Sequence, residues 1–232
     1  LHRKKISIVV LCKNEDALNI LLSPVNIGYY LDPKEYKVSS RTADFPVDAQ
    51  FLNRWSTRAF ADTAISEQEL NTILEAARWA PSAYNAQPWR FVYARRGTAH
   101  WDALVGLLND FNRSWAEKAS ALVIVVSKTT ALLPGAETPV DFPTHSFDAG
   151  SAWGFLALQA TLNGWSAHAM AGFDKDKART DLGIPADYAV EAAIAIGKPG
   201  DKSSLPDYLQ ARDVPSPRES LAKLAFEGKF QA

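Results

Sequence analysis

The sequence predicts an α+β fold, with helices around a central mixed or antiparallel sheet. Three observations carry that reading. Helical and strand-like patterns alternate without the regular strand–helix–strand period of a parallel sheet. Residues 121–126 form a continuous apolar, largely β-branched run, the pattern of a strand buried on both faces. Residues 146–163 are apolar on nearly every side of a helical projection, so that helix needs cover all round, from its own core or from a second subunit.

The elements follow in order. Ser66-Glu67-Gln68-Glu69 is a capping box, and Leu70, Ile73, Leu74 and Ala77 continue it at helical spacing, so a helix is predicted over 66–80 and ends at Pro81. Residues 89–93 alternate and are β-prone, a strand. A helix is expected over about 98–108, the buried strand over 121–126, and the long helix over 146–163. Gly164 then serves as a C-terminal stop. Residues 190–196 are a further strand, closed by Gly197-Lys198-Pro199-Gly200. Residues 1–44 differ in texture and contain Cys12. They are read as an N-terminal extension, poorly packed or lying on the surface, with residues 45–232 as the folded domain.

Composition excludes several classes. Of 232 residues, 47% are hydrophobic and 22% charged, an ordinary globular balance. The net charge of −1 argues against a nucleic-acid partner, which calls for a basic excess. A single cysteine excludes an internal disulfide framework and a multi-cysteine metal site. His2, His100, His145 and His168 lack ligand-like spacing, so no metal is expected. The apolar stretch at 149–162 falls short of the roughly 20 residues of a spanning helix. Arg3, Lys4 and Lys5 precede a short apolar run, but Lys13-Asn14-Glu15-Asp16 follows without a cleavage site. A cytoplasmic protein with no membrane partner is the expectation. Dinucleotide, phosphate-loop, zinc-helix and nucleophile-elbow motifs do not occur, so the chemistry of an enzyme here would rest on a bound cofactor.

Three segments could carry a site. Arg54-Trp55-Ser56-Thr57-Arg58 places two guanidiniums and two hydroxyls within five residues, suited to a phosphate. A solvated turn with surface charges is equally consistent with the spacing. Residues 80–89 hold small and amide side chains between Pro81 and Pro88, where a flat ligand could approach. An ordinary polar loop remains open. In His168-Ala169-Met170-Ala171-Gly172-Phe173-Asp174, small residues would expose backbone amides, or the segment is a strand-to-helix turn with Asp174 as N-cap. The two are compatible.

In this order, the segments resemble the FMN-dependent nitroreductase family. The residues that carry the likeness are Arg54, Ser56, Arg58 and Phe60, then Ala80, Pro81, Ser82, Asn85, Gln87, Pro88 and Trp89, then Gly172, Phe173 and Asp174. The resemblance runs from about residue 45 to the C-terminus. It implies a nitroreductase-like fold and an intertwined homodimer that builds each flavin site from both subunits. It also implies a ping-pong oxidoreductase, in which NADH or NADPH reduces FMN at N5 and a nitroaromatic, quinone or related small-molecule acceptor reoxidises it. On this likeness no side chain is catalytic. Arg54, Trp55, Ser56 and Arg58 would hold the phosphate and ribityl chain, with Arg218 on the phosphate. Pro81, Ser82, Ala83 and Asn85 would lie beside the flavin ring from the second subunit. Asn112 would contact the pyrimidine, and Met170, Ala171 and Gly172 would form the turn at N5.

Three positions depart from the family pattern. Ser216 stands where relatives often have a second basic residue, which implies weaker phosphate binding. Ala171 replaces an acidic residue of some members. Trp115 replaces a lysine of some members and is expected to narrow the site toward flat aromatic substrates. Two other readings are kept. One is a flavin-binding sensor or storage protein without efficient turnover. The other is a glycosyltransferase-like fragment at residues 6–15, which lacks a downstream D-x-D in a metal-site context.

Overall fold

The computed structural model describes residues 41–231. Contacts divide the chain into Leu1–Tyr36 and Lys37–Ala232, and every described residue belongs to the second unit. The expectations for Cys12, for the run at 6–15 and for most of the extension lie outside the described residues. Residues 41–44 are not loosely attached. The Arg41 guanidinium donates to the carbonyls of Leu52 and Arg54, and the Asp44 carboxylate accepts from the Leu221 amide.

The elements are α1 (Ala49–Asn53), α2 (Glu67–Arg78), β1 (Trp89–Arg95), α3 (Trp101–Val105), α4 (Asp110–Ala116), β2 (Ala121–Lys128), β3 (Thr130–Ala131), β4 (Val140–Asp141), α5 (His145–Leu162), β5 (Ser166–Met170), α6 (Lys175–Asp181), β6 (Tyr188–Gly197) and α7 (Asp207–Gln210). The main sheet has the order β1-β2-β6-β5, antiparallel throughout.

β2 explains why an unbroken apolar run is needed. Successive side chains on a strand point to opposite faces. Leu122, Ile124 and Val126 enter one core with Trp101, Leu104, Trp115 and Phe173. Ala121, Val123 and Val125 enter a second core with Ile73, Ala77, Ala152 and Leu156 from α2 and α5. β6 splits the same way, with Ala193 and Ala195 on the first face and Ile194 and Ile196 on the second. The sheet is therefore the middle of three layers.

The capping box forms as expected. Ser66 Oγ accepts from the Glu69 amide at 3.2 Å, and Glu69 Oε2 accepts from the Ser66 amide at 2.9 Å. Gly164 ends the long helix with a φ of +69°. Asp174 caps α6 by accepting from the Lys177 amide. The helix expected over 98–108 is shorter, confined to Trp101–Val105. α3 stops at Gly106, Leu107 and Leu108 turn into the core, and Asn109 caps α4 by accepting from the Asn112 amide. Burial of two adjacent leucines outweighs the helical periodicity there.

α5 buries Ala149, Ala152, Leu156, Ala157 and Ala160 against the sheet. Phe147, Phe155 and Leu162 remain exposed on the single chain. No helix among the described residues is long and apolar enough to cross a membrane.

Candidate functional site

The segment after α1 leaves the helix in extended conformation at Arg54. It carries Arg54, Trp55, Ser56 and Arg58 along one wall of a cavity of about 290 Å³. The C-terminal segment forms a second wall, with Arg212, Val214, Ser216 and Arg218. Arg41 and His168 complete the lining. Five guanidiniums thus converge from three distant parts of the chain.

A buried carboxylate joins the two walls. Asp213 Oδ2 accepts from Thr57 Oγ1 at 2.8 Å, and Asp213 Oδ1 accepts from the Arg58 amide at 2.7 Å. Asp213 is 5% exposed and Thr57 is 2% exposed, so these bonds are shielded from water. They fix the backbone that presents Arg58. Below it, Trp115 stacks against His168 with ring centroids 4.6 Å apart, and the Arg58 guanidinium lies 5.8 Å from the centre of the Trp115 ring.

The electrostatics are those of partly buried cations brought close to one another. Burial, then the charge of Arg218, lowers the Arg54 pKa. Burial lowers the Arg41 pKa, with Arg218 and Arg54 adding to the effect. Burial also lowers the Arg58 pKa, with Asp213 opposing and Arg212 reinforcing it. Guanidiniums remain charged regardless. The common direction marks a site whose energy falls when an anion enters.

β5 runs from this cavity to a second cluster. His168 and Ala171 are three residues apart on nearly extended chain, roughly 10 Å. At the far end Asn112 Nδ2 donates to the Gly172 carbonyl at 2.9 Å, and the Asn109 amide donates to the same oxygen at 3.2 Å. A Cβ on Gly172 would come within 2.6 Å of the side-chain nitrogens of both Asn109 and Asn112. Any larger residue would have to displace both amides, which is the physical reason for the Gly172 signal in the sequence. Ala171 is exposed, whereas Met170 is buried at 5% in the core below the turn.

The loop holding Pro81, Ser82, Ala83 and Asn85 does not line the arginine cavity. It is tied to α5, where buried Asp148 accepts from the Ala83 amide at 3.2 Å. Ser82 Oγ accepts from the Gln87 amide. Tyr84, Asn85 and Gln87 all have positive φ, between 48° and 53°. Three such residues in four positions hold an exposed, strained surface in one shape. Pro88 keeps Gln87 out of the right-handed helical region as expected, into positive φ.

Two expectations change. Trp115 does not narrow the site. It is 1% exposed and forms the floor under His168 rather than a wall. Ser216 does not leave the cavity poor in charge, because Arg41 and Arg212 supply guanidiniums from elsewhere. Arg41, Arg212 and Asp213 were not legible as site residues. Asp213 and Thr57 are 156 positions apart, and no local spacing connects them.

The profile of the nitroreductase family matches residues 52–198, which include the whole main sheet. The chain belongs to the nitroreductase family. It is similar to a solved oxidoreductase containing FMN, with 49% identity and a TM-score of 0.79, over 82% of this chain and 96% of that one. A protein of Desulfovibrio desulfuricans solved in complex with FMN is 27% identical, with a TM-score of 0.60, over 78% and 96% of the two chains. A relative from Thermus thermophilus named NADH dehydrogenase is 27% identical over 180 residues, 65% of this chain and 85% of its own.

Proposed function

We propose that the protein is an FMN-dependent oxidoreductase that uses NADH or NADPH to reduce nitroaromatic, quinone or related acceptors, and that it works as a homodimer. The observation that carries this reading is the arginine cavity joined by one strand to the Asn112–Gly172 turn. An anion site lies at one end, and a tightly packed turn with Ala171 exposed lies at the other. The donor set fits FMN. Arg41, Arg54, Arg58, Arg212 and Arg218 match a phosphate dianion, and a planar ring would lie against the exposed Ala171 of the turn that Asn109 and Asn112 pack.

Bound there, FMN would supply the two-electron chemistry, taken from a nicotinamide and passed to the acceptor in alternate half-reactions. The chain's own part is binding and orientation. Asp213 holds Thr57 and the Arg58 amide, and the guanidiniums fix the phosphate end. Asn112 is held by the Gly172 carbonyl, so its amide would be presented to a bound flavin in one orientation. The strained loop at 81–87 supports the dimer. It stands off the arginine cavity on the same side of α5 as Asp148, and the exposed Phe147 and Phe155 give α5 an apolar face for a partner.

The test is spectroscopic. The purified protein, or the protein given FMN, is expected to be yellow and to bleach under NADH or NADPH without oxygen. A colourless protein that takes up no FMN would overturn the reading. A yellow protein that no nicotinamide bleaches would favour a sensor or store.

A further inference from the structure

We propose that His168 is a proton-linked ligand of the anion in the arginine cavity, neutral when the cavity holds no anion and an imidazolium donating to a tetrahedral oxyanion when it does. The inference rests on the proposed reading only in taking the FMN phosphate as the natural anion. The cavity itself calls for any phosphate monoester or sulfate.

The geometry sets which nitrogen is available. His168 Nδ1 lies 3.0 Å from the Thr57 carbonyl, an acceptor only, so Nδ1 carries the proton. Nε2 is then the atom that gains or loses a proton. His168 lines the cavity, and among the described residues its one hydrogen bond is the one at Nδ1.

The groups facing the ring are balanced against each other. Arg54 and Arg58 on the near segment oppose a charge on it, and Arg41, Arg212 and Arg218 line the same cavity. Asp213 and the Thr57 carbonyl favour a charge. The face of Trp115 from α4, 4.6 Å away, also favours a cation. On the neighbouring strand His168 pairs with Ala195, which adds no charge. Burial is the largest influence and holds the His168 pKa below 6.5, its ordinary value. A dianion among the guanidiniums cancels the opposing charges and supplies an acceptor, which reverses the preference.

The sign follows. The pKa of His168 is higher with anion bound than without. The added affinity is therefore complete below the anion-free pKa and is lost as pH rises through the anion-bound pKa. Sulfate is the informative probe because its charge does not change between about pH 5 and 8, where histidine titrates. The FMN phosphate itself titrates near about 6.

Sulfate and FMN binding are measured against pH by calorimetry on the full-length flavin-free protein and on His168→Gln. Sulfate is expected to bind more weakly as pH rises, by up to tenfold per pH unit, with uptake of up to one proton per site in the wild type. His168→Gln should lose that slope and that proton. FMN binding with equal slopes and equal proton uptake in both proteins would overturn the role of His168 and leave the cofactor reading standing. Sulfate binding with the wild-type slope but no FMN uptake would overturn the cofactor reading and leave His168 standing. The imidazole carbon signal of His168 reads the same event in the wild type, identified by elimination with His2→Gln, His100→Gln and His145→Gln. Sulfate must move it toward the imidazolium position at a pH where it is otherwise neutral, and an unmoved signal overturns the proposal.

Discussion

Around His145, four polar side chains close on one another. Its Nδ1 is 2.7 Å from Ser127 Oγ, Ser127 donates to Glu191, and Ser146 donates to the same carboxylate oxygen at 2.7 Å. Each hydrogen bond here ends on another member of the cluster, and Ser127 is fully buried. Around His168 the groups do not close. Five guanidiniums line one cavity, and the buried Asp213 behind it has its two oxygens occupied by Thr57 and the Arg58 amide. Both clusters sit on the same sheet and are partly shielded from water, so burial does not distinguish them. The difference is the balance of charge. A polar network that satisfies itself belongs to the scaffold, whereas one that collects a single sign of charge is organised for something that brings the other sign.

The largest expected effect comes from removing that charge. Arg58→Ala and Arg54→Ala should each weaken FMN binding by about 1.5–3 kcal/mol, roughly ten- to a hundredfold. Flavin fluorescence titration measures it. Exposed Arg218→Ala should cost less, about 1 kcal/mol or under. Equal retention in all three variants would break the comparison, because the cavity would then be a patch of surface charge. Next is Asp213→Ala, which removes two hydrogen bonds from a buried carboxylate and leaves the guanidiniums less compensated. A loss of about 3 kcal/mol in unfolding free energy is expected. Added sulfate should restore part of it, since an anion that binds only the folded form stabilises it. Denaturant unfolding with and without sulfate decides the point. In the self-closed cluster, Ser127→Ala should cost about 1–2 kcal/mol of stability and leave FMN affinity unchanged. A change in FMN affinity there would mean that the two clusters are not separate.

The same contrast explains how much was legible in the sequence. The buried strand at 121–126, the cap at Ser66, the stop at Gly164 and the N-cap at Asp174 all rest on residues within a few positions of each other. They formed as expected. Arg54, Ser56 and Arg58 were legible because one short segment carries them. Their partners were not. Arg41 lay in text read as an extension, and Arg212 and Asp213 stand more than 150 positions from Thr57 and Arg58, in a proline-rich run without periodicity. The helix expected at 98–108 stops early, at Val105, for a related reason. Its leucines fit a helical repeat, but Leu107 and Leu108 are drawn into the core beside Trp115 and Phe173, and the sequence does not reveal that neighbourhood.

The smallest effect tests the local end of this contrast, at the capping box. Ser66→Ala removes the hydroxyl that accepts from the Glu69 amide and donates to its carboxylate, and should cost about 1 kcal/mol at neutral pH. Hydrogen bonds from Ser66, side chain first and then backbone, hold the Glu69 pKa below its ordinary 4.5. A carboxylate with a depressed folded-state pKa contributes stability above its unfolded pKa and loses it as pH falls through the folded value. The gap between wild type and Ser66→Ala should therefore be constant above about pH 4.5 and narrow below it. Ser66→Ala should leave FMN affinity equal to that of the wild type at each pH, because the cap touches neither wall of the arginine cavity. Urea unfolding at several acidic pH values gives the first result and flavin titration the second. A gap that stays constant into acid would mean that the serine acts through its bond to the Glu69 amide alone, without the reciprocal contact from the carboxylate.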